Sequence, residues 1–322
     1  MKKIKLFILT ALIIMCGSVA AQFPKPTAPR PGVAPRPGNV HQAVQRKVEQ
    51  QVEENANKEA EKAEAERARG EAELDKGLNK AAAKIEEAQK AQEEADAKVA
   101  AIPDEVPVVG NTPYTPSENE WVFFAMKKGA VQVVVTKDAK GKITSQSRNT
   151  ITEITGEKNA FAVHYKSEAL DSKGNPTNKE NPLIINYRVI VKDGIVYLDM
   201  KGMFGSIDGL DGVQASGTAM KIPNNLSVGK TLEDAGVKVR IGFINCAVIM
   251  TEGKCLAIED VTVEAGTFNC YKISQKTNTT IFGVKNEGTT LTWYAKGVGT
   301  VKTETYDKTG KLLSTQELIS NN

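Results

Sequence analysis

NYRVIVKDGIVYLDM, residues 186–200, decides the fold. Its centre, Asp193-Gly194, supplies the positive φ angles of a two-residue type I′ hairpin, so the flanking runs must pair antiparallel. With the turn there, Tyr187, Val189 and Val191 share one face with Val196, Leu198 and Met200. On the other face Arg188 meets Asp199. One side of this hairpin is apolar and the other mixed, the pattern of a sheet with a single buried face.

The same punctuation recurs on both sides of that hairpin. Asp138 to Gly141, Asp171 to Gly174 and Asp307 to Gly310 each read Asp-x-x-Gly, the signature of a type I turn. Strand patterns run from 120–126 to 311–319, with 238–250 and 255–263 read as separate strands about a Glu252-Gly253 turn. The fold class that follows is mainly β: a curved antiparallel sheet, half-barrel or open barrel, preceded by a long charged helix. Curling of the sheet, with help from Ile222 to Ala235 or the loop before it, is expected to close the core.

Composition divides the chain into five parts. Residues 1–21 carry Lys2, Lys3 and Lys5, an apolar run from Leu6 to Met15, and small residues ending at Ala21, the order of a secretory signal peptide. Lipidation at Cys16 is the less favoured alternative, since Met15 is bulkier than lipoprotein signals prefer. Residues 22–40 hold six prolines interleaved with Lys25, Arg30 and Arg36, a stiff polyproline-type spacer. Residues 41–100 switch to alanine and long charged side chains and form a helix able to reach about 90 Å. A narrow seam through Leu74, Leu78, Ala81, Ile85, Ala88, Gln92, Ala95 and Val99 makes weak self-association and a solvated single helix equal readings. Pairs such as Glu94/Lys98 support the helix at i, i+4. Residues 101–117, with Pro103, Pro107, Pro113 and Pro116, form a linker, and 118–322 is the β domain.

Charge excludes one class of partner. The net charge of +3 is carried by the three lysines of the signal segment, so the processed chain is neutral and offers no polycationic surface for nucleic acid. Export places the protein in the periplasm or at the outer membrane. There Cys246, Cys255 and Cys270 are read as buried free thiols. Turns at Glu252-Gly253 and Ala265-Gly266 would set Cys255 across from Met250, Cys246 across from Glu259 and Cys270 across from Val261. A Cys246–Cys270 or Cys246–Cys255 bridge is the alternative if a bulge shifts the register.

No catalytic constellation can be assembled. The chain has two histidines, His41 at the helix start and His164 in the strand FAVHYKSE, and no Cys-x-x-Cys, His-Glu-x-x-His or phosphate loop. Gly297-Val298-Gly299 lies between two strand patterns and opens no helix. Glu259 and Glu264 flank a turn and are expected to be solvated. Asp208 and Asp211, in the glycine-rich stretch 201–221, supply too few oxygens for calcium. No catalytic residue, metal ligand or cofactor is expected, and the ligand-binding residues stay unassigned. The aromatic residues, among them Trp121, Phe123, Tyr165, Tyr187, Phe243, Tyr271, Trp293 and Tyr294, are mostly core, with a subset free to line an apolar pocket.

The stretch Glu259 to Tyr271, with Ala265-Gly-Thr-Phe-Asn-Cys270, followed by Trp293-Tyr-Ala-Lys-Gly-Val-Gly299 and VKTETYD, resembles the TapB-like secreted proteins of Gram-negative bacteria over residues 115 to 322. That family is distantly similar to the lipoprotein-carrier half-barrels, in which a curved sheet holds a fatty chain against a helix. The resemblance implies hydrophobic-ligand binding and structural roles for Cys270 and Trp293. The function expected is a non-enzymatic binding module of the cell envelope that accepts a lipid-like ligand or an envelope protein. The alternative is a structural or assembly protein using residues 41–100 as an oligomerising spacer.

Overall fold

The computed structural model describes residues 45–322 apart from 104, 121, 178, 179, 181, 206–211 and 243, with helix side chains continuous from residue 75. The signal segment, the proline spacer, His41, Trp121, Phe243, Asp208 and Asp211 lie outside the described residues. Helix α1 spans Gln45–Ala101. It contributes to two units, residues up to Glu87 forming one and Ala88–Asn322 the other.

The β unit is one antiparallel sheet of thirteen strands: β1 (Val131–Asp138), β2 (Ile143–Glu157), β3 (Ala160–Leu170), β4 (Ile184–Lys192), β5 (Ile195–Leu198), β6 (Val213–Gly217), β7 (Met220–Pro223), β8 (Ala235–Ile241), β9 (Ile244–Val263), β10 (Gly266–Ile281), β11 (Val284–Ala295), β12 (Gly299–Asp307) and β13 (Leu312–Asn321). A short helix, α2 (Met200–Gly205), follows β5. The order across the sheet is β6-β8-β9-β10-β11-β12-β13-β1-β2-β3-β4-β5-β7. The ladder does not close into a barrel. Its two edges are nevertheless successive pieces of one chain: β6 pairs with β8 at one end, and three residues after Gly217 β7 pairs with β5 at the other. The sheet is therefore rolled, and Thr218-Ala219 ties its edges covalently.

The turns follow the sequence. Asp193 and Gly194 both have positive φ, 52° and 74°, and the pairing Val191↔Val196 puts the apolar residues inward. In each Asp-x-x-Gly turn the glycine N–H donates to the aspartate carbonyl at 2.9–3.1 Å. The aspartate carboxylate accepts two further backbone N–H groups: Lys140 and Lys142 for Asp138, Lys173 and Asn175 for Asp171, Thr309 and Lys311 for Asp307. The three turns are thus the same device used three times.

The core fills the inside of the roll, from Phe161, Val163 and Tyr165 on β3 through Val189 and Val191 on β4 to Val237 and Val248 on β8 and β9. Its lid draws in part on the expected stretch, of which Ile222, Leu226, Leu232 and Ala235 are buried against it. Met200 and Met203 of α2 cover it together with Val122, Phe123, Ala125 and Met126. The described part of 120–126, expected as a strand, has no strand pairing. It is a non-strand segment after a 3₁₀ turn at Glu118–Glu120, anchored where Gly297 donates to the Val122 carbonyl and Tyr165 to the Ala125 carbonyl.

Two further corrections concern β9. The strand runs unbroken through Glu252-Gly253, absorbing the expected turn as a bulge with Glu252 at φ 54°. Cys255 therefore faces Ile273 and Cys246 faces Ile281. The next turn is centred on Glu264-Ala265, which sets Cys270 across from Glu259. All three cysteines are buried and none is in a disulfide, so neither alternative bridge forms.

The last turns of α1 dock on the outside of this sheet. Ala95 and Val99 pack on Ala247 and Ile249 of β9, with Ile102 beside them. Lys285 of β11 takes Glu94 at 2.9 Å, the acid that the sequence pairs with Lys98. The lower part of the seam thus has a partner in its own chain. In the other unit, Leu78 and Ile85 remain 59% exposed.

Candidate functional site

Inside the roll lies a cavity of about 200 Å³ whose lining comes from eleven strands, helix α2 and the segment carrying Phe124. Its composition follows the strand order. The sheet ends and the helix beside them supply apolar side chains: Leu198 of β5, Met200 and Met203 of α2, Met220 of β7 and Met250 of β9, with Phe124 from the lid. The strands between supply hydroxyls and amides: Gln275 and Thr277 of β10, Thr290 and Thr292 of β11, Thr300 and Thr303 of β12, Gln316 of β13, Ser147 and Asn149 of β2 and Ser167 of β3. Among the described residues no charged side chain lines it. The inward face is therefore greasy only in part, which corrects the expectation of a sheet with one uniformly apolar side.

These polar side chains are interior groups. Gln275, Thr277, Thr292, Thr303 and Gln316 are all less than 10% exposed. Buried hydroxyls need partners, and several find each other, as Thr277 and Thr290 do at 3.1 Å. Tyr294 reaches Thr300 and Thr292, and burial pushes its phenol up to about 12. Tyr187 stacks on Tyr165 with centroids 4.9 Å apart and planes 4° from parallel, and burial raises both phenols. Gln275 is the exception. It sits at the bulge where β10 and β9 lose register, and its Nε2 has no hydrogen-bond partner among the described residues.

A second depression, about 400 Å³, brings together Thr152, His164, Arg188, Asp199 and Gly202. Each polar group there has structural work. Asp199 is the N-terminal cap of α2, accepting the Gly202 N–H at 2.8 Å, and it holds Arg188 at 3.4 Å as the hairpin pattern predicts. His164 Nε2 lies 3.1 Å from Thr155 Oγ1, and burial lowers its pKa. Glu153 acts on the ring only through its charge, opposing that shift, and the hydrogen bond given for the ring is the one to the Thr155 hydroxyl.

The motif residues of the sequence lie on the opposite, outward face. Trp293 donates Nε1–H to Glu259 at 2.7 Å and is flanked by the ammonium groups of Lys272 and Lys302, 4.7 and 5.2 Å from its ring. Glu259 is exposed, as expected of a turn flank, and serves in addition as the tryptophan's partner. Cys270 packs with Trp293, Ala295 and Val301. Burial first, then Asp260 and Glu259, push its thiol up to about 12, which removes it as a nucleophile. Of the aromatic residues expected to supply a pocket, Tyr187 and Tyr294 do line the cavity. Its polar lining was missed, although the signal is present: Thr277, Thr279, Thr290, Thr292, Thr303 and Thr305 recur at period two in neighbouring strands.

No curated protein matches the sequence. Two crystal structures share the fold, each with a TM-score of 0.54 over 63% of this chain and 99% of the other. One is a Bacteroides fragilis protein with a YmcC-like fold, taken to be exported, 18% identical; the other is a Parabacteroides distasonis protein, taken to be a lipoprotein, 21% identical. The DUF3108-like family profile covers residues 127–318, from the segment before β1 to the last strand that lines the cavity, and the chain belongs to that family.

Proposed function

We propose that this is an exported, cell-envelope binding module that shelters a small lipid-like molecule inside the rolled sheet and makes or breaks no bonds. The observation that carries the reading is the interior cavity, lined by four methionines together with uncharged hydroxyls and amides. Methionine is adaptable and suits a surface that must fit a flexible guest. Export is supported by the basic, apolar and small residues of 1–21 and by what is taken to be true of the two structural neighbours. The resemblance to the TapB-like proteins is part of the same proposal.

Volume limits the guest. Ordinary ligand pockets hold roughly 300–1,000 Å³. A space of about 200 Å³ takes a short chain, or one end of a longer one, unless the methionines move. Titration of the mature protein with a fluorescent acyl probe tests the reading. Saturable binding, reversed by unlabelled competitor, is the expected result; no binding under native conditions contradicts it.

A second reading has its own observation. Leu78 and Ile85 are exposed on the helix outside the β unit, which favours an assembly protein whose rod pairs weakly with another copy. Sedimentation of Leu78→Glu/Ile85→Glu tests it, since the docked residues from Ala88 onward are untouched. Loss of a defined oligomer supports this reading, and a monomer in both proteins removes it.

A further inference from the structure

Gln275 and the absence of charge around it define what the cavity accepts, given the binding-module reading above on which this inference rests. Among the described residues, a carboxylate or phosphate placed there would leave water and meet no lysine, arginine or histidine, and a cation would meet no carboxylate. Burying an ion without a counter-charge is strongly unfavourable. A plain hydrocarbon is also a poor guest, because it would strip solvent from threonine hydroxyls and side-chain amides and return no hydrogen bond. The lining asks for a molecule that is apolar at one end and hydrogen-bonding, but uncharged, at the other.

Gln275 says which hydrogen-bonding role is open. It is 94% buried, it lines the cavity, and its Nε2 donates to nothing among the described residues. An amide N–H can only donate, so the complementary group is an acceptor oxygen. The bulge that removes Gln275 from register with β9, while Ser274 and Lys276 keep their partners Lys254 and Thr251, leaves it facing Thr290 on β11. Bulges commonly re-aim a side chain next to a site. Met200 and Met203 of α2 and Met220 of β7 offer thioether surface to the apolar end, and Met250 of β9, across from Thr277, adds to it.

We propose that the interior cavity binds a small uncharged amphipath, its ester, amide or ether oxygen accepting from Gln275 Nε2 and its short apolar part lying on the four methionines. At about 30 Å³ for each water-sized group, about 200 Å³ holds some six or seven such groups, enough for a hexanoyl group with its carbonyl oxygen while the rest of the ester stays outside, and not for a full fatty chain.

The test uses the mature protein with its methionine methyl groups labelled with carbon-13, titrated with 1-hexanoylglycerol and, separately, with hexanoate at neutral pH. The ester should bind and shift the resonances of Met200, Met203, Met220 and Met250, and hexanoate should bind at least tenfold more weakly. Gln275→Met keeps the volume and removes the donor. It should weaken the ester at least fivefold while raising the melting temperature of the ligand-free protein, a pairing of effects that a merely structural glutamine would not give. If Gln275→Met does not fold, Thr290→Val, beside it on β11, should weaken the ester in the same direction. Hexanoate binding as tightly as the ester, or unchanged ester affinity in the folded variant, overturns the uncharged-amphipath proposal and leaves the binding-module reading standing. If neither probe moves a methionine resonance and the fluorescent acyl probe also fails, both readings fall together.

Discussion

Gly283 lies against Ala88 so closely that a Cβ at position 283 would occupy the space of the Ala88 backbone carbonyl. The β10–β11 hairpin tip carries φ 75° at this glycine and receives the helix end, with its N–H directed at Gln92 Oε1 at 3.4 Å. Gly283→Ala adds both a strained backbone and a collision. It should lower stability by about 1–3 kcal/mol in urea unfolding. Amide exchange along 88–101 should rise, with 45–87 unaffected. An unchanged midpoint and unchanged exchange contradict the docking of the helix on the sheet.

Glu120 ties the linker to the sheet. Burial opposes its charge, but the carboxylate accepts from Ser117 N–H and hydroxyl, the Tyr114 hydroxyl and the Asn159 N–H, and these hold it at about 2, below its ordinary 4.5. The proton therefore binds the unfolded chain more tightly than the folded one. The stabilisation is complete above 4.5 and drains away as pH falls toward 2. Glu120→Gln should cost about 1–2 kcal/mol at neutral pH. The gap between the two proteins should shrink over that acid window in denaturation curves. A gap that stays constant with pH would show that the carboxylate's charge is immaterial.

Trp293 separates packing from hydrogen bonding on the outward face. Trp293→Ala empties a site 5% exposed and should cost about 3–5 kcal/mol. Trp293→Phe keeps one aromatic ring between Lys272 and Lys302 and loses the second ring and the bond to Glu259, whose side chain is 44% exposed and can turn to water, so about 1–2 kcal/mol is expected. Equal losses in thermal unfolding would contradict this division.

Cys246, Cys255 and Cys270 are buried, and burial raises the thiols of Cys255 and Cys270. A thiol reagent at pH 8 should leave all three unmodified in the native protein and modify them on unfolding. Rapid labelling of native protein, or a disulfide-linked peptide from protein recovered under oxidising conditions, would contradict the register given for β9 and β10.

Local chemistry made the hairpins legible: the Asp-Gly pair and the three Asp-x-x-Gly turns act over four or five residues, and each forms as read. What stayed hidden depends on pairing between distant strands. A run such as Thr290-Leu-Thr-Trp293 does not say which of its faces will be enclosed. Only the register with β10 and β12 turns Thr290 and Thr292 inward and Leu291 and Trp293 outward. The glycine-rich stretch read as a soft loop holds part of the seam for the same reason. Gly217, at φ 145°, leaves no room for a side chain beside Gly236 and Val237, so the residue that looks like flexibility is a close approach of β6 to β8. The helix seam was visible, but its lower half found a partner in the sheet, which no helix pattern can announce.

The central claim is that the rolled sheet exists to enclose a guest. Native mass spectrometry of the mature protein, purified from its own envelope fraction without detergent, tests it most directly. The account predicts a population carrying one additional small molecule, uncharged and released on gentle activation, and lost in Gln275→Met. Bare polypeptide as the sole species, from several gentle preparations that retain the folded sheet, would contradict it.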